Sequence, residues 1–350
     1  MKTKSISQAN LAALVADLTA AGTRVISPVK SRNGRAADYR PIAKLEEATL
    51  EGPLPRRSLK EFFLPQTETL MRWKQVKGDV NLEEVPTTFA AQVVLGAKPC
   101  DAAGPKAVDK VMGWDYKDEL WFGRRNATTI VSLACAGVDG VCFCSAVGLS
   151  PDAKKGSDVL LIPAEGGFLA EAATEKGEAF LESSRFGEAK GQSAAEAFRK
   201  AAQEKIAKNL PALPGNFAGF LSKNFEHAEF KTIAERCHGC GACASVCPTC
   251  HCFDIIDEPE GVDGGARKRN WDSCMTCKFT LHASGHNPRG SPNERFRQRV
   301  MHKFSVYPTR FEEVLCSGCG RCIRACPAGM DLAEILDHLS KDARASGGAR

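Results

Sequence analysis

Cys237-His238-Gly239-Cys240-Gly241-Ala242-Cys243-Ala244-Ser245-Val246-Cys247-Pro248 and, 79 positions later, Cys316-Ser317-Gly318-Cys319-Gly320-Arg321-Cys322-Ile323-Arg324-Ala325-Cys326-Pro327 decide how this chain is read. Each is a C-x2-C-x2-C-x3-C-P run, the bacterial spacing for ligating a cubane iron–sulfur cluster. Three thiolates two residues apart wrap one face of a cluster. The fourth, followed by Pro, turns away to the other cluster. The pattern predicts one 4Fe–4S cluster on Cys237, Cys240, Cys243 and Cys326, and a second on Cys316, Cys319, Cys322 and Cys247. A lone C-x2-C-x2-C would also suit part of a zinc site, whereas two complete copies closed by Pro248 and Pro327 do not. Gly239, Gly241, Gly318 and Gly320 either donate backbone N–H bonds to sulfur or simply let the loops wrap.

A minimal two-cluster domain has a much tighter repeat, so a large insertion lies between the halves. The expected dicluster domain spans 231–340 and is α+β and ferredoxin-like, with a flexible tail at 341–350. Upstream, Arg24–Ser27, Ala91–Gly96, Thr129–Leu133 and Val159–Ile162 are β-type runs. The segments between the last three are long enough for crossovers, which predicts an α/β domain over 1–165 with a mostly parallel sheet. Residues 166–230, rich in Ala, Glu and Lys and broken at Pro211 and Pro214, read as a helical connector.

The 350 residues carry 16 cysteines, 43% hydrophobic and 25% charged residues, an ordinary globular balance. No apolar run approaches a membrane span. The start, MKTKSISQANLAALVADL, is interrupted by Asp17 and reads as an amphipathic helix rather than a secretion signal. Metal spacing in a large chain without an export signal points to a reducing cytoplasm and thiolates held for metal rather than disulfides. A net charge of +5 is too mild to argue for nucleic acid.

Eight cysteines lie outside the two runs. Cys100 follows the Ala91–Gly96 run, Cys135 follows Thr129–Leu133, and Cys142 and Cys144 form a C-x-C just beyond. Strand carboxyl ends share one edge of a parallel sheet, where ligands bind. These four sulfurs suit a third 4Fe–4S cluster or zinc, and buried free thiols are the plain alternative. Cys250 and Cys252 form a C-x-C facing the C-x-x-C of Cys274 and Cys277, a fourth site for a cluster or zinc, or a shield for the first cluster. His251 is either a ligand or an exposed loop residue. Arg289 to Lys303 reads as an amphipathic helix on Phe296, Val300 and Phe304 with a basic outer face, solvated or docked on an acidic partner.

An ordered series of short motifs carries a resemblance. It comprises Glu61-Phe62-Phe63-Leu64-Pro65-Gln66-Thr67-Glu68, Lys98-Pro99-Cys100-Asp101, Val141-Cys142-Phe143-Cys144 and Cys247-Pro248-Thr249-Cys250-His251-Cys252. It continues with Trp271-Asp272-Ser273-Cys274, Gly285-His286-Asn287-Pro288 and Arg299-Val300-Met301-His302-Lys303-Phe304. From about 40 to 335 the chain resembles the iron–sulfur beta subunit of cytoplasmic sulfhydrogenase-type nickel–iron hydrogenases and the related iron–sulfur subunit of anaerobic sulfite reductase. The resemblance implies a non-catalytic subunit passing single electrons between a flavin subunit that handles NAD(P)H and a catalytic metal subunit. It takes in Cys100, Cys135, Cys142, Cys144, Cys250, Cys252 and Cys274, but not Cys277. No G-x-G-x-x-G follows a strand and no P-loop is present, so neither NAD nor ATP has a standard site here. Two other readings stand beside it: a reductase acting on a small substrate at an exposed cluster, and an Fe–S or zinc interaction module.

Overall fold

The computed structural model describes residues 2–31, 34, 37–52 and 54–347. Among these residues eleven strands fall into two sheets. They are β1 (Thr3–Ser7), β2 (Arg24–Lys30), β3 (Ala37–Ile42), β4 (Thr67–Val76), β5 (Asp79–Glu84), β6 (Gln92–Ala97), β7 (Thr128–Leu133), β8 (Val159–Ala164), β9 (Gly167–Ala172), β10 (Phe253–Pro259) and β11 (Gly264–Trp271). The larger sheet runs β1-β9-β8-β7-β6-β2-β3. Its centre, β2, β6, β7 and β8, is parallel. The continuous apolar runs Val93-Val94-Leu95 and Ile130-Val131 are buried on both faces, as a covered parallel sheet requires.

The rims are antiparallel, so the sheet is mixed. Only Glu165 and Gly166 join β8 to β9, and Gly166 sits at φ +73°. So short a link cannot carry a crossover and forces a hairpin. This corrects two expectations. The sheet extends past 165, and β9 lies inside the span read as a helical connector. Its Gly-Phe-Leu-Ala-Glu-Ala alternation is masked by the helix formers that follow it. Ahead of the N-terminal helix Gln8–Ala20, β1 is likewise an unexpected strand.

The second sheet, β10-β11-β4-β5, was not legible in the sequence. It is antiparallel throughout, and β4 pairs with β11 from about two hundred residues downstream. The sheet therefore joins the N-terminal region to the insertion. Beneath it, buried Arg269 meets Glu68 and Asp118, and Glu68 also meets Arg124.

After 210, apart from β10 and β11, the regular elements are helices joined by long loops. Helices Phe217–Lys223, Ala228–Ala234, Pro292–Met301 and Leu332–Gly347 enclose a core of Phe217, Phe230, Phe296, Val300, Phe304, Leu336 and Leu339. Ser291 caps the third of these in a capping box with Glu294, and Pro292 takes its first position. At its end the backbone loosens into a π turn, His302–Val306. The expected tail at 341–350 is, through 347, the end of the last helix, because Leu336, Leu339 and Ala343 share a buried stripe. Residues 348–350 lie outside the described residues. No helix among the described residues is long and apolar enough to cross a membrane.

Candidate functional site

All sixteen cysteines are free of disulfides. Cys237, Cys240, Cys243 and Cys326 line one cavity, with Cys322 and Arg299 on its wall. Cys316 has Cys247 and Cys319 as electrostatic neighbours, and Cys322 has Cys247, Cys319 and Cys316. Burial pushes the Cys316 thiol up to about 12. Both loops turn on left-handed glycines: Gly239 at φ +67° and Gly241 at +74°, then Gly318 at +62° and Gly320 at +69°. The Gly318 N–H donates to Cys316 Sγ at 3.4 Å, and the Gly239 N–H bonds the Cys237 sulfur. The glycines thus both shape the loops and supply sulfur donors.

At the sheet edge, Cys100 begins the helix after β6 and Cys135 follows the adjacent parallel strand β7. Cys100 has Cys135 as an electrostatic neighbour and also Cys319, a member of the second ferredoxin run. Cys144 neighbours Cys135 and Cys142, and burial pushes its thiol up to about 12. The loop carrying Cys142 and Cys144 lies directly on the second run: Phe143 N donates to Gly318 O at 2.8 Å. A Cβ on Gly318 would stand 2.5 Å from Cys144 N, and one on Gly320 would collide with Val141 O. Those two glycines are required for close approach as well as for φ.

Of the last four cysteines, three come together, in company with Cys247. Cys252 is held down to about 6 by a hydrogen bond from the Cys274 thiol, and Cys247 is held low in the same way by Cys250. Cys274 also has Cys250 as a neighbour. Cys277 stands exposed, its carbonyl accepting from Asn287 Nδ2 at 2.6 Å. His251 is half-buried rather than an exposed loop residue. Its Nδ1 lies 3.0 Å from Thr249 O, its ring packs on His302, and burial pushes it down to about 4. Among the described residues no three His, Cys, Asp or Glu side chains converge tightly enough for a single bare metal ion.

The largest departure from the sequence reading concerns the basic helix. Arg299 is 3% exposed and Lys303 3%, so the basic stripe points inward. Arg299 Nη1 donates to Cys250 Sγ at 3.1 Å and its Nη2 to Cys243 O at 3.1 Å. Lys303 Nζ lies 3.5 Å from Cys247 Sγ and donates to Thr249 Oγ1 and Leu315 O. Lys60, 4% exposed, donates to Ala244 O and stands 3.7 Å over the Trp271 ring. One turn before Arg299, buried Arg295 is held by the carbonyls of Arg289 and Gly290. The signal was available: 295, 299 and 303 sit one residue before Phe296, Val300 and Phe304, within the same broad buried arc.

Lys60, Arg299 and Lys303 meet no carboxylate among the described residues, only carbonyls, a hydroxyl, an indole face and sulfurs. An unpaired buried charge costs several kcal/mol, so a fold that buries Arg299 and Lys303 requires anionic sulfur beside them, while at Lys60 burial outweighs the nearby sulfurs and lowers the pKa. Burial works against the Lys303 charge, yet the sulfurs of Cys247 and Cys250 outweigh it and hold its pKa above the ordinary range. This donor set and its counter-charges fit thiolate-bound iron–sulfur clusters.

Comparison with known proteins agrees. Residues 236–330 match the 4Fe–4S dicluster domain family, and such a domain implies two 4Fe–4S clusters. Over 328 residues, 90% of this chain and 92% of the relative, the sequence is 29% identical to the sulfhydrogenase 2 subunit beta of Pyrococcus furiosus. The chain is a 4Fe–4S iron–sulfur protein and a homologue of the sulfhydrogenase beta subunit.

Proposed function

We propose that this chain is an electron-conducting subunit of a cytoplasmic oxidoreductase complex, standing between a flavoprotein that handles NAD(P)H and a catalytic metal subunit of the hydrogenase or sulfite/sulfur reductase type. The observation that carries the reading is the continuity of the sulfur sets. Cys319 of the second run neighbours Cys100 at the sheet edge, and Cys247 neighbours Cys250. Bound cubane clusters take up and release single electrons with little ligand rearrangement.

The residues divide the work. Cys237, Cys240, Cys243 and Cys326 hold one cluster; Cys316, Cys319, Cys322 and Cys247 hold the second; Cys100, Cys135, Cys142 and Cys144 hold a third. Cys250, Cys252 and Cys274 form a further metal-binding group, with Cys277 at its exposed margin. Gly239 and Gly318 orient the first sulfur of each ferredoxin run. Lys60, Arg299 and Lys303 balance the negative charge of the central sets. Three regions follow one another: the sheet domain, a connector reaching about residue 230, and the dicluster domain, whose insertion shares its sheet with β4 and β5 of the first.

The test is anaerobic purification, iron and sulfide analysis, and assay with and without a flavoprotein partner. Reduction of the chain by NAD(P)H only when the flavoprotein is present, with no turnover of sulfite, polysulfide or protons alone, supports the conductor. Steady turnover by the isolated chain overturns it in favour of catalysis at an exposed cluster.

A further inference from the structure

Two contacts between sulfur sets are wired with opposite electrostatics. At the centre, the Arg299 guanidinium donates to Cys250 Sγ and Cys243 O and shares a cavity wall with Cys243 and Cys322, so its charge acts on all three sets. Lys303 and Lys60 lie beside the same sulfurs. No carboxylate offsets these three charges among the described residues.

Where the second run meets the N-terminal domain, its arginines are paired, while buried Lys98 donates to Leu50 O. Arg321, 2% exposed, donates to Asp101 Oδ2 at 2.7 Å, and Asp101 is fully buried beside Cys100. Arg324 donates to Cys319 O and to Asp139 Oδ2, and Asp139 accepts from the Cys142 thiol. Each arginine here has its own carboxylate, with Arg324 Nη2 also 3.5 Å from Cys142 Sγ.

Resting on the cluster assignment above, we infer that the chain carries a built-in redox gradient: Lys60, Arg299 and Lys303 make the central sets the easiest to reduce, while Asp101 and Asp139 keep the N-terminal set the hardest. The physical cause is simple. Reduction adds negative charge, net charge around a cluster sets its potential, and an uncancelled buried cation favours the reduced form far more than a paired one. One electron leaving the N-terminal set reduces the central set by one electron, with no proton moved. Electrons entering at the sheet domain therefore fall inward to the ferredoxin core.

The test is an anaerobic redox titration of the full chain followed by EPR, with iron counted on every sample. In the wild type, the first signal to appear on reduction survives Cys135→Ser and the last one disappears with it. Arg299→Gln and Lys303→Gln each move the first signal to lower potential, on the order of tenfold in the reduced-to-oxidised ratio at fixed potential. Asp101→Asn, which uncovers Arg321, moves the last signal upward. The inference is overturned if the signal lost in Cys135→Ser is the first to appear in the wild type. It is also overturned if neutralising Arg299 and Lys303 leaves every midpoint in place at full iron content. Wild-type iron near two clusters, unchanged by Cys135→Ser, instead overturns the assignment of the N-terminal set. Should Arg299→Gln, Lys303→Gln or Asp101→Asn fail to load, the order of signals in the wild type, assigned through Cys135→Ser, decides the matter.

Discussion

The two halves of the dicluster region share a loop and differ in what lies on it. Cys240-Gly241-Ala242-Cys243-Ala244-Ser245 corresponds to Cys319-Gly320-Arg321-Cys322-Ile323-Arg324. In the first half the cover is local: a Cβ on Gly241 would stand 3.3 Å from Ser273 Oγ and 3.8 Å from the Thr276 methyl, close but without collision, and Cys240 stays exposed. In the second half the cover is the Val141–Cys144 loop of the sheet domain, packed with no room for a Cβ. The arginines that reach Asp101 and Asp139 stand where the first half has Ala242 and Ser245. One half thus faces outward under side chains of its own insertion, and the other is built into the backbone of its neighbour. A repeated ligand motif has been fixed by different means at its two ends, which suits a conductor needing one accessible end and one anchored end.

The largest expected effect strikes the anchored half. Asp101→Ala leaves Arg321 buried without its carboxylate, a loss of about 3–5 kcal/mol, seen as early loss of cluster absorbance on heating. A variant that melts like the wild type breaks the contrast. Next, Gly320→Ala adds a collision with Val141 to the strain of positive φ and costs about 3 kcal/mol, against about 1 kcal/mol for Gly241→Ala, where strain acts nearly alone. Equal melting shifts for the pair mean that the covers are equivalent. The insertion sharpens the comparison within itself: Cys274→Ser lowers bound metal, and Cys277→Ser, at the exposed margin, leaves metal content unchanged.

The smallest effect depends on pH. Exposed His338 pairs with Glu229 between the helices flanking the first half, and this hydrogen bond raises its pKa above 6.5. Its contribution is complete below the unfolded value of about 6.5 and is lost as pH rises through the higher folded value. The melting difference between wild type and His338→Ala should therefore be larger at pH 6 than at pH 8.5.

What the sequence disclosed follows the strength of its local signals. Cysteine spacing is dictated by ligand geometry and needs no tertiary context, so the two ferredoxin runs could be read residue by residue. The central strands β6, β7 and β8 are apolar on both faces and declare themselves. The second sheet does not: β5 is exposed along its whole length, β4 is largely polar, and β11 is stabilised by ion pairs to residues far away in sequence. The inward turn of Arg299 and Lys303 was half legible: their spacing places them in the buried arc of the helix, but a basic residue there belongs in solvent unless something buried demands its charge. The demand comes from Cys243, Cys247 and Cys250, brought there only by the fold.

The central claim is a conducting series that reaches beyond the dicluster domain into the sheet domain, and the most direct test is iron and acid-labile sulfide per chain after anaerobic purification, in the wild type and in Cys135→Ser. The account predicts about twelve iron atoms or more, three clusters of four at the least, falling by about four in the variant. About eight iron in both proteins would contradict it, leaving an ordinary dicluster protein whose sheet-edge cysteines are buried thiols.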